Sequence, residues 1–320
     1  MPDDLAAEIL ALGEPMVEFN QTGERDGRHF LQGFGGDTSN FAIAAARQGA
    51  RVGFIGALGD DRHAAMLRAL WRAEGVADRD VKTDAQAFTA VYFVTHDARG
   101  HHFDIVRRRS AASRITPADL PRGRIARAKL LHLSGISLAI SDSACETGLA
   151  AMALAREAGT AVSFDTNLRL KLWPLARART VMTEAMRRCD LCLPSLDDIG
   201  ALTGLSDPDA RVDHCLALGA RIVALKLGAA GALVASRDGR HRIAALPCRP
   251  VDATSAGDTF GGAFAARWLA GDCLREAGCY AAAPAALSTE GYGAVEPIPH
   301  ADRVRAALGR PSDSTRDTRP

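Results

Sequence analysis

From Lys129 onward, short apolar segments alternate with longer segments of helical periodicity. Segments 142–158 and 178–188 are the clearest candidate helices among the latter. When each strand is followed by a helix, the strands run parallel and the helices cover both faces of the sheet. The pattern therefore predicts an α/β fold with a doubly wound, largely parallel sheet. The candidate strands are 130–133, 161–164, 191–193, 222–226 and 232–235.

The first hundred residues follow a different rhythm, in which candidate strands face each other across two polar turns. One helix, 38–49, and one strand, 51–55, separate the two hairpin-like pairs. Because such pairs do not fit a strand-helix alternation, they predict a separate small β-sheet. The first pair is 9–20 with 28–34 around the turn 22–27, and the second is 88–95 with 102–107 around the turn 97–100.

Composition excludes several classes of protein. The 320 residues include 39 basic and 38 acidic side chains, so no global field attracts nucleic acid or a membrane surface. The N-terminus lacks the form of a signal peptide, and no apolar run reaches the roughly 18 residues of a membrane span. Seven scattered cysteines predict reduced thiols in a cytoplasmic protein. We expect one domain over 1–308 and a polar, disordered tail over 309–320.

Segment 251–264 contains a run of small residues that ends in a single carboxylate. Ser255, Ala256 and Gly257 let the backbone turn sharply and bring peptide N–H groups close to a ligand. The open amides of the following helix then form an anion site, most naturally for a phosphate. Asp258 lies beside that site, where it could take a proton from an attacking hydroxyl. The alternative is an ordinary first-turn aspartate favoured by the helix dipole.

The glycines at 35 and 36 precede another candidate helix, and Asp37 and Asn40 follow them. The third glycine of a G-x-G-x-x-G dinucleotide motif is absent, and no Gly-Lys-Ser/Thr of a Walker A loop occurs. A close-approach turn with two groups able to bind hydroxyls remains. Its alternative is a helix N-cap formed by Asp37.

Three further strand candidates end in polar residues, where open α/β sheets place their ligands. The segment that begins at Lys226 joins two apolar strands by a Gly-x-x-Gly turn, which can equally be a plain hairpin with glycines at positive φ. The loop that begins at Asp165 can equally be Asp/Asn turn chemistry with a solvated arginine. The residues concerned are Asp165, Asn167, Arg169, Ser195, Asp198, Lys226, Gly228 and Gly231.

Two of these segments resemble the signatures of the ribokinase-like (PfkB) carbohydrate kinases. Segment 252–258, D-A-T-S-A-G-D, resembles the C-terminal signature, which usually reads D-T-x-G-A-G-D. Segments 35–42 and 56–61 resemble the N-terminal signature, and the likeness extends from about residue 9 to about residue 300. The resemblance implies a ribokinase-like fold. It also implies that the small sheet, from about 14–34 and 88–107, is a lid over the sugar and a contact between subunits.

The resemblance implies a role for each polar residue. Asp258 would be the catalytic base, while the amides of Ala256, Gly257 and Asp258 would stabilise the transferring phosphoryl group. Asp198 would act at a magnesium ion and Asp252 at a monovalent cation such as K⁺. Gly35, Gly36, Asp37, Asn40 and Asp258 would bind the sugar, and Asn167, Ser195, Lys226, Gly228, Gly231, Ser255 and Gly257 would bind the nucleotide.

The substrate is suggested by segment 164–173, which resembles the D-x-N-x-R-x-x-L-W element of the 2-keto-3-deoxygluconate kinases in that family. Arg169, together with Arg107, would then bind a sugar acid, because an arginine fork holds a carboxylate through two charge-assisted hydrogen bonds. The predicted activity is phosphorylation of 2-keto-3-deoxygluconate by ATP with Mg²⁺, in a homo-oligomer formed through the lid. Fructokinase, ribokinase and 5-keto-2-deoxygluconate kinase are the alternatives. A non-catalytic sugar-binding regulator on the same fold is disfavoured by the intact Asp258.

The chain departs from the family pattern at several positions. Ile105 and Val106 stand where the family often has two tyrosines, which removes two phenol hydroxyls from the substrate side. Ser255 replaces the usual glycine before the anion site. On the nucleotide side, Ala282 stands where an asparagine is common, and Pro284 interrupts an alanine run.

Overall fold

The computed structural model describes residues 7–22, 27–97 and 100–309. The predicted tail from 310 onward and the tips of two predicted turns, 23–26 and 98–99, lie outside this range. The strands are β1 (Ile9–Leu12), β2 (Met16–Gln21), β3 (Phe30–Gly35), β4 (Val52–Gly59), β5 (Val76–Asp84), β6 (Val91–Asp97), β7 (Gly100–Val106), β8 (Leu130–Ser134), β9 (Ala161–Asp165), β10 (Leu191–Leu193), β11 (Ile222–Lys226), β12 (Ala232–Ser236) and β13 (Gly239–Ile243). The helices are α1 (Asp37–Arg47), α2 (Arg62–Ala73), α3 (Arg122–Ile125), α4 (Gly135–Ala139), α5 (Asp142–Ala158), α6 (Leu175–Arg188), α7 (Leu196–Thr203), α8 (Pro208–Leu218), α9 (Ala256–Leu269), α10 (Leu274–Ser288) and α11 (Ala301–Leu308).

Nine of the described strands form one sheet in the order β13-β12-β11-β10-β9-β8-β1-β4-β5. All neighbours from β11 to β5 pair in parallel, and only the pairings of β12 with β11 and with β13 are antiparallel. The predicted doubly wound, largely parallel sheet is therefore confirmed. Within the described part of the chain, no helix is long and apolar enough to cross a bilayer.

Both faces of the large sheet are covered by apolar layers. Along β1, Ile9 and Ala11 join one buried cluster, which includes Phe264 of α9. Leu10 and Leu12 join a second cluster, which includes Met152 of α5. Because successive side chains of a strand point to opposite faces, this alternation shows that helices pack on both sides of the sheet.

The small sheet has the order β3-β2-β6-β7 and is separate from the large one, as predicted. One of its faces carries Phe19 and Phe93, whose rings stack at 5.2 Å, and Phe19 also meets His63 of α2 edge-on. The opposite face carries Met16 and Tyr92, which belong to a small buried cluster of their own. One face of the small sheet therefore packs on α2, and the opposite face holds the separate cluster that includes Met16 and Tyr92.

The expectation of a single strand over 9–20 was wrong. Gly13, Glu14 and Pro15 interrupt it, so that β1 belongs to the large sheet and β2 to the small one. Gly13 is packed so closely that a Cβ on it would lie 2.2 Å from Oγ1 of Thr38. Residues 13–15 therefore connect the two sheets and pack against the first turn of α1.

Candidate active site

Three neighbouring strands of the large sheet bring polar residues to one edge. Asp165 ends β9, Lys226 ends β11, and Ser195 follows β10, which lies between them. Leu193 pairs with Asp165, and Ser195 forms an isolated parallel bridge with Lys226. The parallel register therefore aligns these carboxyl ends, as predicted for a ligand site in an open α/β sheet.

Helix α9 begins at this edge, directly after Ser255. Ser255 has a left-handed backbone, with φ of 62°, a conformation that costs a non-glycine residue about 1 kcal/mol. Its hydroxyl donates to the carbonyl of Ala294 at 2.5 Å, which ties the turn to the C-terminal loop. The left-handed φ explains why a glycine is usual here and how a serine is accommodated.

The first-turn amides of α9 are not all equally available. The N–H of Ala256 donates weakly to the carbonyl of Ala253 at 3.3 Å. Gly257 and Asp258 carry amides for which a helix provides no acceptor of its own, and the helix dipole adds a partial positive charge there. The arrangement suits an anion with Gly257 and Asp258 as the stronger donors.

Asp258 lies half-buried in this first turn, where Nδ2 of Asn40 donates to its Oδ2 at 2.9 Å. Burial raises the pKa of Asp258 to about 8, and the charges of Asp37 and Asp165 add to the rise. The Asn40 hydrogen bond and the Lys226 charge act in the opposite direction. A carboxyl group whose pKa lies near neutrality is well matched to general-base catalysis.

Lys226 extends under the same helix terminus. Its Nζ lies 2.5 Å from Oδ2 of Asp165, and a Cβ on Gly257 would lie 3.4 Å from Nζ. Burial lowers the pKa of Lys226, but Asp165, with Asp258 and Asp198, outweighs burial and the net change is upward. Lys226 is therefore a charged ammonium group beside Gly257, at the predicted anion site.

Gly36, one of the glycines predicted to bind the sugar, stands at the start of α1. The same helix carries Asn40, the hydrogen-bond partner of Asp258. Gly36 has φ of 101°, and a Cβ on it would lie 2.3 Å from the carbonyl oxygen of Glu14, so no other residue fits. Asp37 is not the N-cap of α1, which begins at Asp37 with Gly36 as the cap residue. Its Oδ2 instead accepts from Nδ2 of Asn167 at 2.8 Å, so two residues from distant segments meet.

Two predicted ligand residues serve their own turns. The hydroxyl of Ser195 accepts from the amide of Asp198 at 3.2 Å and caps α7. Asp252 accepts from the amide and hydroxyl of Thr254, at 2.9 and 2.6 Å, and from the amide of Gly293 at 3.1 Å. These contacts account for both residues structurally, and their roles toward nucleotide or cation stay predictions.

Asp198 accepts from the hydroxyl of Thr166 at 2.9 Å and lies at the same edge as Asp165. In the described ranges, no three histidine, cysteine or acidic side chains converge in a way that could hold a metal ion. Carboxylate oxygens do suit Mg²⁺, which is commonly held by one or two carboxylates together with substrate phosphates. The donor set thus fits a magnesium ion that arrives with a nucleotide.

The Gly-x-x-Gly segment after Lys226 is a hairpin between β11 and β12. Gly228 and Gly231 have φ of 59° and 94°, and a Cβ on Gly231 would meet the carbonyl of Ile243 at 2.0 Å. The backbone alone therefore requires Gly231. The structure leaves a nucleotide role for this loop as a prediction.

The two arginines that were predicted to bind a sugar acid lie in unlike surroundings. Arg169 is exposed, and its Nη1 donates to the carbonyl of the adjacent Leu168 at 3.0 Å. Arg107 is buried, and its Nε lies 2.9 Å from Oε2 of Glu14. Any role for Arg107 toward a substrate must therefore accommodate this ion pair.

Sequence reasoning missed three residues near the site, namely Glu14, Glu18 and Tyr92. The hydroxyl of Tyr92 donates to the carboxylate of Glu18, and both side chains are buried. Burial raises the pKa of Glu18 and of Tyr92, and the nearby Asp252 raises both further. The available signal was a glutamate in each of two apolar stretches, Leu12 to Met16 and Met16 to Phe19.

Comparison with known proteins relates this chain to carbohydrate kinases. The family model described as pfkB family carbohydrate kinase matches residues 6–301. A 2-dehydro-3-deoxygluconokinase of Thermoproteus tenax is 34% identical over 93% of this chain and 93% of its own length. Fructokinase-1 of Oryza sativa subsp. japonica is also 34% identical, over 91% of this chain and 94% of its own length.

Solved structures give the same result. A PfkB protein from Polaromonas sp. JS666 has a TM-score of 0.85 and 31% identity, and the match covers 94% of this chain and all of that one. A fructokinase double mutant from Vibrio cholerae O395, bound to fructose, ADP and a potassium ion, has a TM-score of 0.85 and 25% identity, covering 95% and 99%. The chain therefore belongs to the pfkB family of carbohydrate kinases.

Proposed function

We propose that this kinase transfers the γ-phosphoryl group of ATP to the primary hydroxyl of 2-keto-3-deoxygluconate. The products are 2-keto-3-deoxy-6-phosphogluconate and ADP. The observation that supports the chemistry best is the position of Asp258, a carboxylate with a raised pKa at the open amides of α9, beside the Lys226 ammonium.

Asp258 would accept the proton of the attacking sugar hydroxyl. The hydroxyl oxygen would form a bond to the γ-phosphorus, while the bond between the γ-phosphorus and the bridging β-phosphate oxygen breaks and ADP leaves. The amides of Gly257 and Asp258, with a weaker contribution from Ala256, would stabilise the charge on the phosphoryl oxygens. Lys226 would add a positive charge at the same place. Asn40 would hold Asp258 toward the acceptor through its 2.9 Å hydrogen bond.

On the nucleotide side, Asn167, Ser195, Gly228, Gly231 and Ser255 are proposed to contact ATP. Magnesium would shield the phosphates, and Asp198 is the carboxylate proposed to hold it directly or through water. Asp252 is proposed to support a monovalent cation, because the Vibrio cholerae fructokinase contains potassium.

On the acceptor side, Gly35, Gly36, Asp37 and Asn40 are proposed to bind sugar hydroxyls. Arg169 and Arg107 are proposed to bind the carboxylate. Support comes from the 2-dehydro-3-deoxygluconokinase relative and from the D-x-N-x-R-x-x-L-W element.

Fructose is the second candidate acceptor. The fructokinase relative is equally identical, and Ile105 and Val106 remove two hydroxyls from the substrate side. Arg107 is moreover already paired with Glu14.

A direct assay distinguishes the two. The purified protein would be supplied with ATP and Mg²⁺ and with 2-keto-3-deoxygluconate, fructose or ribose, and ADP formation would be followed. We expect kcat/KM to be highest for the sugar acid. A higher kcat/KM for fructose would replace the proposal by fructokinase activity. If none of the acceptors supports ADP formation, both the sugar-acid and the fructose proposals are refuted.

We further propose that the small sheet acts as a lid and as the contact between two copies of the chain. Leu31, Phe103 and Ile105 are exposed on the face that also carries Tyr92. Hydrogen exchange with and without acceptor tests the lid, and sedimentation of wild type and Leu31→Asp tests the contact. Unchanged hydrogen exchange in 30–35 and 91–95 would contradict the lid. A monomeric wild type would contradict the contact between two copies.

A further inference from the structure

Glu14 lies in the short link between β1 of the large sheet and β2 of the small sheet. Its side chain is completely buried, with Oε2 2.9 Å from Nε of Arg107 and Oε1 accepting from the hydroxyl of Ser110 at 2.8 Å. Arg107 and Ser110 follow β7, where the chain leaves the small sheet again. One carboxylate thus joins two connections between the sheets.

The Glu14–Arg107 contact is an ion pair without an aligned hydrogen bond. Neither Oε2 of Glu14 nor Nε of Arg107 has a hydrogen-bond partner among the described residues. Burial raises the pKa of Glu14, while the Arg107 charge and the Ser110 hydroxyl counteract it and Asp37 adds to it. Because buried polar atoms are usually satisfied, this incomplete pairing requires an explanation beyond stability.

The other end of the guanidinium group is directed into the lid. Nη2 of Arg107 lies 3.5 Å from Sδ of Met16, which belongs to the same buried cluster as Tyr92. Met16 lies on the same face of β2 as Glu18, which pairs with Tyr92 in the neighbouring strand β6. The Nη groups are therefore on the Tyr92 face of the small sheet.

The Glu14 backbone also touches the acceptor site. Its carbonyl oxygen occupies the space in which a Cβ of Gly36 would stand, and Asp37 and α1 follow Gly36. Arg107 is consequently held next to the residues that are proposed to bind the sugar.

We infer that Glu14 is a positioning residue that holds Arg107 by its Nε edge, so that the Nη edge recognises the carboxylate of an acidic acceptor. The inference rests on the proposed function and deepens it. An arginine can serve two carboxylates at once, because its five donors are spread over different edges of one plane. Glu14 itself does not touch the substrate.

A double-mutant cycle tests the inference. The kcat and KM for 2-keto-3-deoxygluconate and for fructose would be measured at saturating ATP for wild type, Glu14→Gln, Arg107→Ala and the double variant. Arg108→Ala, which removes an exposed arginine from the same run, is the matched control. Thermal unfolding of each variant would be recorded alongside.

We expect Glu14→Gln to raise KM for the acid by about tenfold, because the neutral amide no longer holds the charged guanidinium group by an ion pair. KM for fructose and both kcat values should stay within about twofold. In the Arg107→Ala background the same substitution should have no further effect. Arg108→Ala should leave both KM values as in wild type.

An equal rise in KM for both sugars, or a Glu14→Gln effect that persists in the Arg107→Ala background, would overturn the inference. An Arg107→Ala variant with an unchanged KM for the acid would also overturn it, even if Arg169 preserves the preference for the acid over fructose. Should Glu14→Gln fail to fold, Glu14→Asp replaces it, and an unchanged KM would again overturn the idea. A wild type that prefers fructose refutes the proposed function. The cycle measured on 2-keto-3-deoxygluconate, which need not be the preferred acceptor, then still decides whether Glu14 acts through Arg107.

Discussion

The two halves of the candidate site are built in different ways. The phosphoryl half uses the end of β11 and the start of α9, where Lys226 and Asp258 stand at positions that local sequence motifs already mark. The proposed acceptor half depends on Glu14, Tyr92 and Arg107, which come from three segments and are brought together by the small sheet. In the proposed function, the first half carries the phosphoryl transfer and the second half sets the substrate preference.

The largest expected effect tests the phosphoryl half. Replacing Asp258 with Asn removes the base while keeping the shape and the Asn40 neighbour, so kcat should fall by on the order of 10² to 10⁴. Steady-state kinetics on folded protein would measure the loss. Because the other proposed sugar ligands are unchanged, sugar binding measured by calorimetry should be largely retained. Near-normal turnover would remove Asp258 from the mechanism.

The pH profile tests the same half more finely. A base works only when it is deprotonated, and the raised pKa of Asp258, about 8, means that kcat/KM should climb as pH rises toward 8 and then level off. The slope below the pKa should be about tenfold per pH unit. Lys226→Met removes a charge that lowers the pKa, so the rise should move to higher pH. Asp37→Asn removes a charge that raises it, so the rise should move to lower pH. Shifts in the same direction would contradict this electrostatic account.

The acceptor half should respond in a different parameter. Tyr92→Phe leaves the buried carboxylate of Glu18 without its phenol donor, which should cost about 1–3 kcal/mol of unfolding free energy. Chemical denaturation would measure this loss. KM for the sugar should rise while KM for ATP stays unchanged. A larger change in KM for ATP than for sugar would break the division into two halves.

The smallest effect concerns the Ser255 turn. Ser255→Ala keeps the left-handed backbone but loses the hydrogen bond to Ala294, so unfolding free energy should fall by about 1 kcal/mol. Ser255→Gly loses the same bond but relieves the backbone strain, so its stability should stay within about 0.5 kcal/mol of wild type. Paired denaturation curves would show the difference. Equal losses in both variants would mean that the left-handed φ carries no cost.

Local sequence patterns were sufficient to predict the bounds of an element where its own apolar residues mark it. The strands β10 and β11 and the helix α5 have the predicted bounds, because short apolar runs and a capped amphipathic stretch identify them without neighbours. The edge strand β5 was not predicted, since its alternating charged residues resemble a surface loop. It is a strand because β4 offers it a parallel partner along seven registered pairs, Val52↔Val76 among them.

The sequence by itself determined the α/β class and the family, and it marked the residues of the proposed phosphoryl half, because motif residues a few positions apart are placed by one turn and one helix. Only the tertiary structure decided that Glu14 pairs with Arg107, that Tyr92 pairs with Glu18 and that Asn167 meets Asp37. Such pairs join residues about 70 to 130 positions apart. Their choice depends on strand order and on the burial that makes an unpaired charge costly, and no local pattern encodes either.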